Sequence, residues 1–166
     1  MAFVRGFPPI ARDDATTLIL GSMPSRASLM QQRYYAHPRN SFWPILSELF
    51  ELQGLDYAER SVRVTLNGIA IWDVLQTCFR SSSLDSDIDD KTITTNDFGG
   101  FYTRHPGITR VFFNGAKAET VYLRHVLPAL SSEHAAIRLH RLPSTSPAHA
   151  GMTFAAKLSA WKVILD

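Results

Sequence analysis

The sequence predicts an α/β fold built on a mostly parallel, four-stranded sheet with helices over both faces. Three observations carry that expectation. Short apolar runs alternate with stretches of helical periodicity. Each run is strand-sized and ends in polar or glycine-containing punctuation. The 166 residues, 45% of them apolar, also suffice for one sizeable core. Strands that are apolar on both sides belong to parallel sheets covered on both faces.

The first strand is expected over residues 16–20 (TTLIL), ending abruptly in Gly21-Ser22-Met23-Pro24. Residues 41–52 read as a helix, with Pro44 near its start, where a missing N–H is tolerated. Residues 57–66 read as a second helix that stops at Asn67-Gly68. A second strand follows over residues 69–72 (IAIW), then a short helical piece over residues 73–77 and a polar loop over residues 80–90 (RSSSLDSDIDD). Residues 110–114 (RVFFN) form the third strand, which runs through Gly115 into a helix reaching Leu130. The spacing of Leu123, Val126, Leu127 and Leu130 gives that helix its apolar face. Residues 136–142 form the fourth strand. The last helix, residues 152–165, aligns Phe154, Leu158, Trp161 and Leu165 as a buried stripe.

Ligands of open parallel sheets bind beyond the carboxyl ends of the strands. The segments GSMPS, WD, NGAKA and PSTSPAH should therefore gather on one edge. With no linker-like stretch and no repeat, the whole of residues 1–166 reads as one domain. The single cysteine, Cys78, excludes an intramolecular disulfide and any cysteine-built metal centre, and the six histidines show no metal-ligand spacing. No metal and no cofactor are expected. The apolar runs fall far short of the roughly 20 residues that span a bilayer, and the N-terminal segment has no signal-peptide core. A cytoplasmic monomer follows as the expectation. A net charge of +2 permits a polyanionic partner without demanding one.

The segment from Gly21 to Trp43, GSMPSRASLMQQRYYAHPRNSFW, concentrates the chemistry. Gly21 lets the chain turn sharply and Pro24 stiffens the turn, which presents backbone N–H groups and the Ser22 and Ser25 hydroxyls. Further on, Tyr34, Tyr35, His37, Arg39 and Asn40 crowd a proline-stiffened loop, and loops rarely gather such groups without a binding role. The plainer reading packs the tyrosines on the core and uses Asn40 to cap the next helix. Asp73 either hydrogen-bonds a ring N–H of a ligand or caps the short helix expected after it. Asn114 reads as a turn residue and Asp85 as a loop or capping residue.

Taken together, GSMPS, YYAHPRNSFW, NGIAIWDVL, RSSSLDSDI, FFNGAKA and LPSTSPAH resemble the DNA-deoxyinosine (hypoxanthine–DNA) glycosylases, a branch of the uracil–DNA glycosylase superfamily. The resemblance runs from about Thr16 to the C-terminus. HPRNSFW and PSTSPAH in this order are its most specific parts. It implies a three-layer α/β/α sandwich that flips a deaminated base of DNA into a pocket at the strand ends, as access to a stacked base requires.

The same resemblance makes Tyr35 the aromatic that stacks on the base and Asn40 the catalytic residue, positioning water against C1′. Ser22, Met23 and Asp73 then face the base. Pro24, Ser25, Arg39, Ser144, Thr145, Ser146, Pro147 and His149 contact the DNA, short hydroxyl side chains suiting a phosphate. Two positions depart from better-known relatives: Met23 stands where they hold an acid or amide, and Ser144 where the uracil enzymes hold a histidine. Ala148 is too small to fill the hole left by a flipped base, which leaves His149 or Met152 for that role. Lysines 91, 117, 157 and 162 lie outside both motifs, so a monofunctional hydrolase is expected rather than a Schiff-base enzyme. Two other classes fit parts of the pattern: a non-catalytic nucleic-acid or nucleotide-binding module, and a serine hydrolase using Ser22 and His149.

Overall fold

In the computed structural model, which describes residues 2–166, two sheets share one chain. The first holds four parallel strands: β2 (Thr17–Gly21), β3 (Ile69–Asp73), β6 (Arg110–Asn114) and β7 (Arg138–Leu142), in the order β3-β2-β6-β7. The second is antiparallel and has the order β1-β4-β5, from β1 (Ala2–Arg5), β4 (Leu75–Arg80) and β5 (Thr94–Thr95). Helices α1 (Arg26–Gln31), α2 (Phe42–Phe50), α3 (Tyr57–Leu66), α4 (Phe98–Arg104), α5 (Ala116–Val121), α6 (Ser132–Ala135) and α7 (Phe154–Trp161) complete the fold. The expected parallel sheet between helical layers is therefore present.

The parallel register sets Leu20 beside Trp72 and Phe113. Side chains alternate along each strand, so these three share one face. Trp72 there packs against Phe98 and Phe101 of α4, and Phe113 against Tyr122 at the end of α5. The opposite face carries Ile19, Ile71 and Phe112, and on its last rung Gly21, Asp73 and Asn114. Arg110 and Thr17 are tied on that face to the C-terminal residues through the carbonyl of Ile164. The outer edge of β3 is closed by an antiparallel bridge between Ile10 and Ile71, which removes an exposed strand edge.

Four sequence expectations change. Residues 73–77 are not helical, because Leu75 begins β4. That strand pairs with β1 over four consecutive residues, a partner more than 70 positions away. The long helix after Gly115 breaks into α5, a π-helical turn at Tyr122–Val126 and a 3₁₀ turn at Leu127–Ala129. The π turn rotates the later side chains, and Tyr122, whose hydroxyl meets that of Tyr102 at 2.6 Å, takes the inner face while Leu123 is left exposed. In the last helix the buried stripe is Lys157, Trp161 and Ile164, with Phe154 and Leu165 exposed. Trp161 sets this rotation: its indole N–H donates to the carbonyl of Pro143 at 2.9 Å, and its ring is fully buried against Phe42.

Ile164→Ala is accordingly expected to cost about 2–5 kcal/mol of stability, whereas Leu165→Ala should change it by less than about 0.5 kcal/mol. Urea unfolding of the two variants decides the point. Equal losses would return the helix to the Phe154–Leu165 stripe.

Candidate active site

The carboxyl ends of all four parallel strands open into one cavity of about 380 Å³. From β2 come Gly21 and the turn Ser22–Ser25, which leads into α1 with Ser25 as its N-cap. Asp73 enters from β3, and Asn114 from β6. The loop after β7 adds Ser144, Thr145, Ser146, Ala148 and His149. The loop between α1 and α2 supplies Tyr34, Tyr35 and Asn40.

Gly21 explains how closely these groups approach. A Cβ at this position would lie 2.5 Å from Asp73 Oδ1 and 2.8 Å from the Tyr35 hydroxyl, so only glycine leaves them room. Asp73 is almost fully buried, and its Oδ2 has no hydrogen-bond partner. Desolvation pushes its carboxyl up to about 7, helped by repulsion from Asp85 and opposed by Arg80. With β4 following directly, Asp73 caps no helix; that alternative is replaced by a carboxyl on the cavity wall.

Tyr35 holds a positive φ of 55°, an uncommon conformation for a non-glycine residue. Its ring stacks on Phe42 with centroids 3.8 Å apart, and its hydroxyl is buried without a partner. Tyr34, in contrast, belongs to the core. Its hydroxyl donates to the Pro8 carbonyl and its own carbonyl accepts the Trp43 indole N–H. Asn40 does two things at once: it lines the cavity, and its Oδ1 accepts the Phe42 N–H at 2.9 Å, at the start of α2.

The loop after β7 is pinned by a side-chain clasp. Asn114 Nδ2 donates to Thr145 Oγ1 and Asn114 Oδ1 accepts the Thr145 N–H, both at 2.9 Å. The Thr145 carbonyl accepts the N–H of Ser41, which joins this loop to the start of α2. Thr145 is thus a buried strut, not the phosphate-facing hydroxyl the sequence suggested. Asn114 is more than a turn residue. Ser144 and Ser146 accept backbone N–H groups from Ser146 and Ala148, which leaves each hydroxyl hydrogen free to donate.

The other expected residues divide. Met23, Pro24, Ser25 and His149 line the cavity, whereas Arg39 is exposed and, with Pro147, lies outside it. The Ser22 hydroxyl donates to Asp85 Oδ1 and not to His149, so no serine–histidine dyad forms. Ser25 spends its oxygen on the Ser28 N–H.

Asp85 and Lys117 are among the lining residues that sequence reasoning missed. Asp85, read as a loop or capping residue, reaches the cavity because its loop is tied to α1, where the Arg26 N–H donates to Ser83 Oγ at 2.9 Å. Its carboxyl is raised by desolvation, against the Ser22 hydrogen bond and the charges of Arg80 and Lys117. Lys117, set outside the motifs, also lines the cavity and pairs with Asp90 at 2.6 Å. The serine- and aspartate-rich composition of the loop was the available signal for Asp85; for Lys117 it was the position two residues after Gly115. Among the described residues no group of three metal-ligating side chains gathers, and no helix is long and apolar enough to cross a membrane.

The chain was compared with known proteins. The profile of the uracil DNA glycosylase superfamily matches residues 8–164. A hypoxanthine DNA glycosylase of Methanosarcina acetivorans is 38% identical over 116 residues, covering 69% of this chain and 72% of that protein. A hypoxanthine DNA glycosylase of Methanosarcina barkeri is 35% identical over the same shares. The solution NMR structure of a Methanosarcina acetivorans protein, provisionally described as a uracil DNA glycosylase, superposes with a TM-score of 0.77 at 29% identity. That match covers 99% of this chain and 100% of the other.

Gly21→Ala is expected to destabilise the protein by about 1–3 kcal/mol through overpacking, because the new methyl meets Asp73 and Tyr35 together. Thermal unfolding reads the effect, and an unchanged melting temperature would contradict the packing described.

Proposed function

The chain belongs to the uracil DNA glycosylase superfamily, and from that premise we propose that it hydrolyses the N-glycosidic bond of hypoxanthine in DNA. The product is an abasic site, which makes the reaction the first step of base excision repair. The observation that carries this reading is the buried Asp73 carboxyl, whose Oδ2 lacks a partner beside the half-buried Tyr35 ring in a strand-end cavity. Hypoxanthine offers an N1–H donor in the plane of its ring. Once ionised, the unpartnered Asp73 Oδ2 accepts a hydrogen bond from that N–H, whereas adenine presents a lone pair at the same atom and is repelled. The relatives named as hypoxanthine DNA glycosylases support the purine. Uracil, with a carbonyl beside a ring N–H, fits the same contacts.

In this reading the damaged nucleotide rotates out of the duplex, because a stacked, paired base hides its glycosidic bond. Tyr35 supports the base through its ring, and base–aromatic stacking contributes about 1–3 kcal/mol. Ser144 and Ser146 donate their free hydroxyl hydrogens to the DNA backbone, and His149 lies at the cavity mouth, where the gap in the duplex opens. Asn40 holds the attacking water. Its Oδ1 already accepts from Phe42, so the free amide N–H groups and the remaining lone pair fix the water's position without taking its proton. Positioning alone is worth a large rate factor. The protein acts as a monomer without metal, and Lys117, whose ammonium on the cavity wall is paired with Asp90, is a bound cation and not a Schiff-base nucleophile.

Duplexes carrying one inosine, uracil, xanthine or thymine mismatch, incubated with the protein and then with alkali, test the proposal. Strand scission at inosine is expected, and Asn40→Ala should lower the single-turnover rate at least a hundredfold. The lost cap of that variant should cost only about 1 kcal/mol of stability. A protein that binds these duplexes and leaves no alkali-labile site is a binding module, and the proposal fails.

A further inference from the structure

We propose that Asp85 is the catalytic carboxylate that accepts the proton of the attacking water and faces the positive charge developing on the sugar. The inference rests on the glycosylase reading and assigns it a residue. Hydrolysis needs a group that can take a proton as the water oxygen bonds to C1′. Several cavity-lining groups are poor candidates. The Asn40 amide has no useful basicity and its oxygen is engaged by Phe42. Lys117 is a cation paired with Asp90. Tyr34 and Tyr35 hold their hydroxyl protons far above the usual range because they are buried. Among the described residues none hydrogen-bonds the His149 ring to fix it against a water, whereas Ser22 fixes Asp85. Asp73 keeps its own proton up to about 7, and its Oδ1 is pressed against Gly21.

Asp85 is held by different contacts. The Ser22 hydroxyl, at the end of β2, donates to its Oδ1 and fixes the carboxylate. Desolvation raises the Asp85 carboxyl, and the Ser22 hydrogen bond, Arg80, whose Nη2 donates to the Pro24 carbonyl at 2.7 Å, and Lys117 oppose that rise. Among the described residues, no protein group donates a hydrogen bond to Asp85 Oδ2, which is therefore free to receive water.

The C1′–N9 bond breaks and its electron pair leaves with the purine. The water oxygen bonds to C1′, and one water proton passes to Asp85 Oδ2. The departing purine takes up a proton from solvent, and Asp85 then releases its own to solvent. The negative charge of Asp85 also stabilises the oxocarbenium-like sugar before the water attacks.

The test uses single-turnover excision from an inosine duplex at saturating protein, with duplex affinity measured in parallel. Asp85→Asn retains an oxygen for the Ser22 hydroxyl and should lose at least a hundredfold in rate, with affinity within threefold. Asp85→Ala should be similarly slow and should recover at least tenfold when formate is added, because a free carboxylate can occupy the vacated place. A merely structural role gives no such rescue. Either variant within threefold of the wild-type rate, or an inactive Asp85→Ala protein that formate leaves unchanged, overturns the inference while the glycosylase reading stands. A wild-type protein that excises no base removes that reading, and this inference with it.

Discussion

The strand-end cavity depends on one close approach, that of the Asp73 carboxyl and the Tyr35 hydroxyl to the bare Cα of Gly21. Parallel pairing places Gly21 opposite Asp73 on adjacent strands, and the absence of a side chain lets both polar groups settle where water does not reach them. Neither Asp73 Oδ2 nor the Tyr35 hydroxyl is satisfied by the protein. Leaving a buried polar group without a partner costs about 1–3 kcal/mol. Such a cost, borne at a cavity wall, is recovered by a ligand that supplies the missing donor. The pH consequence has a definite sign. The folded state holds the Asp73 proton up to about 7, well above the 3.8 of a free side chain. Stability from this group is thus complete below about pH 4 and is lost as pH rises toward 7.

Around that contact, the remaining polar groups fall into two kinds. Asn114 and Thr145 satisfy each other and hold the β6 and β7 ends together, while the Thr145 carbonyl reaches Ser41 and fixes the entry to α2. Phe42, on the first turn of α2, then supports Tyr35 from beneath and receives the rim of Trp161 from α7. One chain of contacts therefore links the last helix to the aromatic wall. Among the groups left free are Asp73 Oδ2, the Tyr35 hydroxyl, the hydrogens of Ser144 and Ser146, and the amide N–H groups of Asn40. Their supports are rigid, which is what preorganisation of a site requires.

Much of this was legible in the sequence because the signals are local. The parallel strands follow from short apolar runs, and Arg110–Asn114 and the helix Tyr57–Leu66 have the expected ends. The glycine, proline and aromatic content of Gly21-Ser22-Met23-Pro24 and Tyr35 to Asn40 left an ordinary turn and a helix cap open, and the resemblance to the deoxyinosine glycosylases selected the site reading. What escaped is non-local or degenerate. β4 needs β1, which lies at the other end of the first half of the chain, so Leu75–Arg80 gives no sign of its partner. Two stripes of equal periodicity compete on α7, and only the Trp161–Pro143 hydrogen bond selects between them. Asp85 resembles any acidic loop residue until Ser22 and Arg26 anchor its loop over the cavity.

Asp73 stands buried and unpartnered on the wall of the strand-end cavity, waiting for a donor. Carbon-13 NMR titration of the Asp73 side-chain carboxyl in the free protein tests this most directly. A midpoint near 7 is expected, close to the value that burial imposes. A midpoint near 4, that of a solvated carboxylate, would mean that water fills the site and would contradict the account.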